Sequence, residues 1–77
     1  MEVDRSSSVP PFEQIAAQLR AAIAAGTYGP GDRLPSALGI SQDTGVAMMT
    51  ARKALGVLVD AGEAVRRQGW GTFVVPR

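Results

Sequence analysis

Apolar positions recur at helical spacing in the first third of the chain. Ile15, Leu19 and Ile23 fall at i, i+4 and i+8, so they stack on one face. Phe12 extends that stripe by one turn, and the alanines between raise helix propensity. The pattern predicts a first helix over residues 12–25. Pro10 and Pro11 suit its first turn, where a missing N–H costs nothing. Gly26 suits its C-terminal cap, and Gln18 and Arg20 fall off the stripe.

Residues 26–36, GTYGPGDRLPS, break the periodicity. Gly29, Pro30 and Gly31 force a turn. Arg33 and Leu34 form a short extended stretch before Pro35, and Ser36 is a good N-cap. A second helix over about 37–43 is expected on that basis, although local propensity leaves the segment ambiguous. Gly39 and Ser41 are poor helix formers, and Leu38 and Ile40 lie two apart, which is not one helical face. Gly45 then suits a tight turn with positive φ.

Residues 47–61, AMMTARKALGVLVDA, read as a third helix with Ala51, Leu55, Leu58 and Met48 on one face and Val46 just before it. Gly62 closes it. Residues 63–75 read as a β-hairpin: Val65, Phe73, Val74 and Val75 are strand formers, and Gln68-Gly69-Trp70-Gly71 is the turn. The predicted order is helix, turn, short helix, tight turn, longer helix, hairpin. A short helix joined by a glycine turn to a longer one is the helix-turn-helix arrangement, and the hairpin makes it winged. The fold class is therefore α+β, mostly α: three helices followed by a C-terminal β-hairpin wing. Residues 1–10 are expected to be a flexible tail and residues 11–77 the winged domain.

Composition narrows the chemistry. Seventy-seven residues make one domain with a modest core. The chain has no cysteine and no histidine, which removes disulfides, thiolate metal sites and the commonest general base. Its seven carboxylates show no catalytic spacing, so an enzyme is not expected and no cofactor is implied. No apolar run approaches the roughly 20 residues that span a bilayer. The start, MEVDRSSSVPP, lacks the regions of a secretory signal. A cytoplasmic, nucleoid-associated protein is expected. Net charge is only +1, but it is uneven. Residues 1–32 carry two arginines against four acids; residues 33–77 carry six basic residues against three acids. A basic second half attracts a phosphate backbone.

Three segments carry a resemblance: Pro11-Phe12-Glu13-Gln14-Ile15, Gly29-Pro30-Gly31-Asp32-Arg33-Leu34-Pro35-Ser36, and Gly69-Trp70-Gly71-Thr72-Phe73-Val74. With the spacing from Ser36 to Gly45-Val46, Ala54-Leu55 and Gly62, they resemble the DNA-binding domain of GntR-family bacterial transcriptional regulators from about residue 11 to residue 75. The resemblance implies that the third helix enters the DNA major groove and the wing tip the adjacent minor groove. The family's contact positions fall here on Leu38, on Ala47, Met48, Thr50 and Arg52, and on Gly69 with Trp70. Around them, Arg33, Ser36, Lys53, Arg66, Arg67 and Gln68 complete the expected DNA-binding set. Ser36 would present the second helix to a phosphate.

The departures from the family pattern bear on specificity. Leu38 and Met48 stand where the family usually has arginine, the best bidentate reader of guanine. Methionine offers only apolar contact, for example to a thymine methyl. Ala47 removes the usual N-cap hydroxyl of the third helix, Thr44 occupies an apolar position, and Gly56 interrupts the third helix. Arg66 and Arg67 lie on opposite strand faces, so at most one points straight at a given surface.

The function expected is sequence-specific duplex DNA binding by a bacterial transcriptional repressor of GntR type. The alternative is a winged-helix protein-interaction or accessory module, motivated by the lost arginines and an apolar face of Leu38, Met48, Met49 and Trp70. Family members carry an effector-binding and dimerising domain after the wing. The sequence stops where that linker would begin, so no small-molecule effector site is expected in this chain. Any homodimer would be weak or dependent on DNA.

Overall fold

A computed structural model of the chain describes residues 1–76. The described residues form helices α1 (Pro11–Ala24), α2 (Ala37–Thr44) and α3 (Met48–Asp60), then strands β1 (Ala64–Arg67) and β2 (Gly71–Val74). This is the expected order. The expected domain end at residue 77 lies outside the described residues.

The apolar stripes become one core. Ile15 and Leu19 of α1, Ile40 of α2, and Ala51, Ala54, Leu55 and Leu58 of α3 are buried together. Leu34 and Val46 from the connections join them, with Ala64 and Val74 from the hairpin. Helix α3 is the middle element, packing on α1, α2 and β1. Two alanines and two leucines over two turns of its inner face let those neighbours approach closely.

Helix ends follow their local chemistry. Pro11 opens α1 at the N1 position. Both α1 and α3 close with the paired 6→1 and 5→2 bonds of a Schellman motif: Thr27 N–H to Ala22 C=O with Gly26 N–H to Ile23 C=O, and Glu63 N–H to Leu58 C=O with Gly62 N–H to Val59 C=O. The ambiguous second helix is real. Ser36 Oγ accepts the Gly39 N–H at 3.0 Å, and Ile40 anchors the helix in the core. A Cβ at residue 39 would sit 3.3 Å from that hydroxyl, so glycine leaves the cap undisturbed. Ser41 turns its hydroxyl outward from the helix ladder and donates to Val46 C=O at 2.6 Å.

The hairpin pairs Ala64 with Val74, Val65 with Phe73, Arg66 with Thr72 and Arg67 with Gly71. Residues 68–70 make the loop. The extended stretch expected at Arg33-Leu34 adds a third rung: Arg33 bridges Phe73, Leu34 N–H donates to Thr72 C=O, and Val74 N–H donates to Asp32 C=O. The connection between α1 and α2 thus lines the edge of β2 that faces away from β1.

Residues 1–10, expected to be a flexible tail, contain no helix or strand, yet they make specific contacts. Gln14 Nε2 donates to Asp4 C=O and Val9 C=O, and Gln14 Oε1 accepts the Asp4 N–H. Gln18 holds Glu2 C=O, and Val3 packs against the core. Among the described residues no helix is long and apolar enough to cross a membrane.

Candidate nucleic-acid interface

The turn between α2 and α3 sets the angle at which α3 leaves the body. Gly45 adopts φ 78°, which a side chain would strain. Thr44, a departure from the family's apolar residue, is accommodated because its hydroxyl donates to Ile40 C=O at 2.7 Å and accepts the Val46 N–H at 3.3 Å. Its polar atom is satisfied where it is half-buried. Arg5 reaches across from the N-terminal segment and donates to Gly45 C=O at 3.0 Å. That contact gave no sequence signal, because a side chain reaching 40 residues ahead to a backbone carbonyl has no periodicity.

Beyond the turn, α3 starts without a side-chain cap. Ala47 occupies the N-cap with extended φ and ψ and makes no cap hydrogen bond. Met48 is half-buried, on the side of Ala51 and Leu55; Met49 points to solvent with 72% exposure. Thr50 is half-buried, and Arg52 and Lys53 are exposed. No acid stands three or four residues from Arg52, so the helix offers it no ion-pair partner.

Between α3 and the wing runs an open groove of about 790 Å³. The structure brings Ser36, Thr50, Arg52, Lys53, Arg66, Arg67, Gln68 and Gly69 together around it. Met49, expected only on the apolar face of the protein-binding alternative, also lines it, as do Gly56 and Asp60, which were not expected there. Their spacing was legible afterwards: 49, 53, 56 and 60 form one helical stripe on the wing side of α3. Gly56 leaves the floor of the groove open, with nothing within 4 Å of an added Cβ. Asp60 lies seven and eight residues from Lys53 and Arg52, about 10–12 Å along the axis, so it stands two turns away from the basic residues of the helix.

Strand alternation separates the two wing arginines, as expected. Arg66 shares the face of Ala64, Thr72 and Val74, which turns toward α3; Arg67 shares the face of Val65 and Phe73. Five of the expected residues stand apart from the groove lining. Leu38, Ala47 and Met48 lie at the helix starts outside it, Trp70 projects from the wing loop at 72% exposure, and Arg33 lies along the edge of β2 away from β1. The Arg33 Nε is only 2.8 Å from where a Cβ would stand on Gly71, whose φ is 121°. The positive φ favours glycine at residue 71, whereas the exposed Arg33 side chain could swing aside. The Lys53 ammonium sits 4.2 Å from the Phe12 ring centroid, a cation–π contact that draws it toward α1.

One ion pair braces the wing base. Arg20 Nε and Nη2 grip the Glu63 carboxylate at 2.6–2.9 Å. The hydrogen bonds from Arg20 hold the Glu63 carboxyl below the usual carboxylate range, and Glu63 in turn raises the Arg20 guanidinium. This ties α1 to the turn between α3 and β1.

A helix-turn-helix whose second helix is flanked by a hairpin, with basic side chains around the groove between them, defines a winged helix-turn-helix domain. The sequence model described as bacterial regulatory proteins, gntR family, matches residues 11–74. The chain belongs to that family. It is 38% identical over 74 residues to the HTH-type transcriptional repressor NagR of Bacillus subtilis, covering 96% of this chain and 30% of that protein. It is 39% identical over 70 residues to the histidine utilization repressor of Klebsiella aerogenes, covering 91% of this chain and 29% of the relative. The chain therefore spans under a third of the length of these curated relatives. Among solved structures, YtrA from Sulfolobus acidocaldarius, a GntR-family transcription factor, superposes with TM-score 0.87 at 38% identity, over 100% of this chain and 65% of that one. AraR(DBD) in complex with operator ORX1 superposes with TM-score 0.92 at 29% identity, over 97% and 95% of the two chains.

Proposed function

We propose that this chain binds duplex DNA sequence-specifically as the reading domain of a transcriptional repressor. The observation that carries the reading is the groove between α3 and the wing, ringed by Arg52, Lys53, Arg66 and Arg67. The superposition on an operator-bound relative supports it. In this reading the first two turns of α3 lie in the major groove, which is wide enough for a helix. Arg52 is the best-placed guanine or phosphate donor, with Thr50 and Gln68 as further polar readers. Arg66, Arg67 and Arg33 supply phosphate contacts that position the domain. The wing loop, Gly69 with Trp70, enters the adjacent minor groove.

The domain acts without catalysis: affinity comes from released counterions, and selectivity from base edges. Two copies on a repeated half-site would sit about one helical turn apart and associate weakly or only on DNA. The protein works in the cytoplasm, at the nucleoid. Selection from random duplexes, followed by titration of the winner at two salt concentrations, tests the reading. If one copy neutralises about four phosphates, log affinity falls against log salt with a slope of about −3.6. Equal affinity for selected and shuffled duplexes, or no binding at low salt, overturns it.

A further inference from the structure

The basic rim selects a polyanion, but it leaves the two most prominent side chains at the helix starts unexplained. Met49, second residue of α3, is 72% exposed, and Leu38, second residue of α2, is 54% exposed. Neither is among the residues that build the core. Met49 lines the groove beside Arg52 and Lys53, and Leu38 follows Ala37, which lines the same groove. Among the polar residues near them, Thr50 is half-buried and the Lys53 ammonium is drawn over Phe12. The start of α3 therefore presents an unbranched apolar side chain, with no donor of its own, where the polyanion must approach.

In the major groove of a duplex each base pair shows hydrogen-bonding groups, and only thymine adds an apolar one, its C5 methyl. A thioether chain with three rotatable bonds adapts well to such a surface. We propose that Met49, seconded by Leu38, reads thymine C5 methyl groups, so that the half-site facing the start of α3 is specified by thymine. The sequence pointed to Met48 for this contact. The structure favours Met49 for the role, because Met49 is exposed and lines the groove, whereas Met48 is half-buried and does not line it. The inference rests on the DNA-reading function proposed above.

The test uses the selected duplex with its thymines replaced one at a time by deoxyuridine, which removes the methyl and keeps pairing and charge. At one or two positions in the half-site, affinity should fall about fourfold, the equivalent of losing one buried methyl group. Met49→Ala should bind the thymine duplex correspondingly more weakly and lose discrimination at that position, with its thermal midpoint unchanged because the side chain is exposed. Leu38→Ala should do the same at a second position or deepen the first effect. If the duplex binds but no deoxyuridine changes affinity, methyl reading is wrong while DNA reading stands. If both variants keep the full thymine preference, these side chains are not its readers. Failure of every duplex to bind removes the function and this inference together.

Discussion

The first turns of α2 and α3 stand side by side and are built in opposite ways. Helix α2 is short and poor in helix formers, yet its start is closed by Ser36 Oγ on the Gly39 N–H. Helix α3 is longer and better formed, yet its start is uncapped at Ala47 and carries Met49 into solvent. The contrast separates two jobs. The start of α2 is held by local hydrogen bonding and by Ile40 in the core. The start of α3 is held from behind, by Val46, Ala51 and the hydrogen-bonded turn, and its outer face is free to meet a partner.

The contrast breaks most severely from the inside. Leu58→Ala, on the inner face of α3, should cost about 2–5 kcal/mol and lower the melting temperature by 4–8 °C for each kcal/mol. Thermal unfolding followed by circular dichroism checks this. On the outer face the same helix should respond differently. Arg52→Glu combined with Arg67→Glu should leave the melting temperature nearly unchanged and weaken duplex binding on the order of 100-fold at low salt, as read by anisotropy titration.

Smaller changes sharpen the comparison. Ala47→Ser restores a cap hydroxyl to α3 and should stabilise the domain by about 1 kcal/mol; no gain in melting temperature would mean that the first turn is already satisfied. Gly56→Ala meets nothing within 4 Å and should add about 0.5–1 kcal/mol through helix propensity, while narrowing the groove floor. The smallest effect concerns Arg20 and Glu63. The Glu63 carboxyl is held low by Arg20, so the pair stabilises the fold at pH 7 and that contribution is lost as pH falls through the carboxylate range. An exposed pair contributes little, because water and salt screen it. The melting-temperature difference between wild type and Glu63→Gln should therefore shrink toward zero on acidification.

Elements whose signal lies in periodicity or in glycine position were legible: α1, α3, the hairpin, and the turn at Gly45. The Ser36 cap and the short pairing of Arg33-Leu34 could also be read from single residues. Helix α2 was only half legible. Propensity argued against it, and the decisive terms were tertiary: burial of Ile40 and the Ser41 hydroxyl on Val46 C=O. The N-terminal segment was read without its contacts, because glutamine and arginine side chains reaching distant backbone carbonyls leave no local pattern. Within the candidate site, the basic residues were named from the family resemblance, with the uneven charge as a weaker, sequence-wide sign. The choice between Met48 and Met49 was not, since adjacent helix positions differ by about 100° and only the packing of α3 against its neighbours fixes which one faces out.

Mapping amide shifts onto the isotope-labelled domain during titration with the selected duplex, at about 50 mM salt where phosphate contacts are strong, tests the interface most directly. The account predicts shifts concentrated at Met49, Thr50, Arg52, Gln68 and Gly69, with the outer face of α1 around Ala17 and Ala21 silent. Shifts centred on α1, or a spectrum that no duplex perturbs, would contradict it and favour a protein partner for the same exposed apolar side chains.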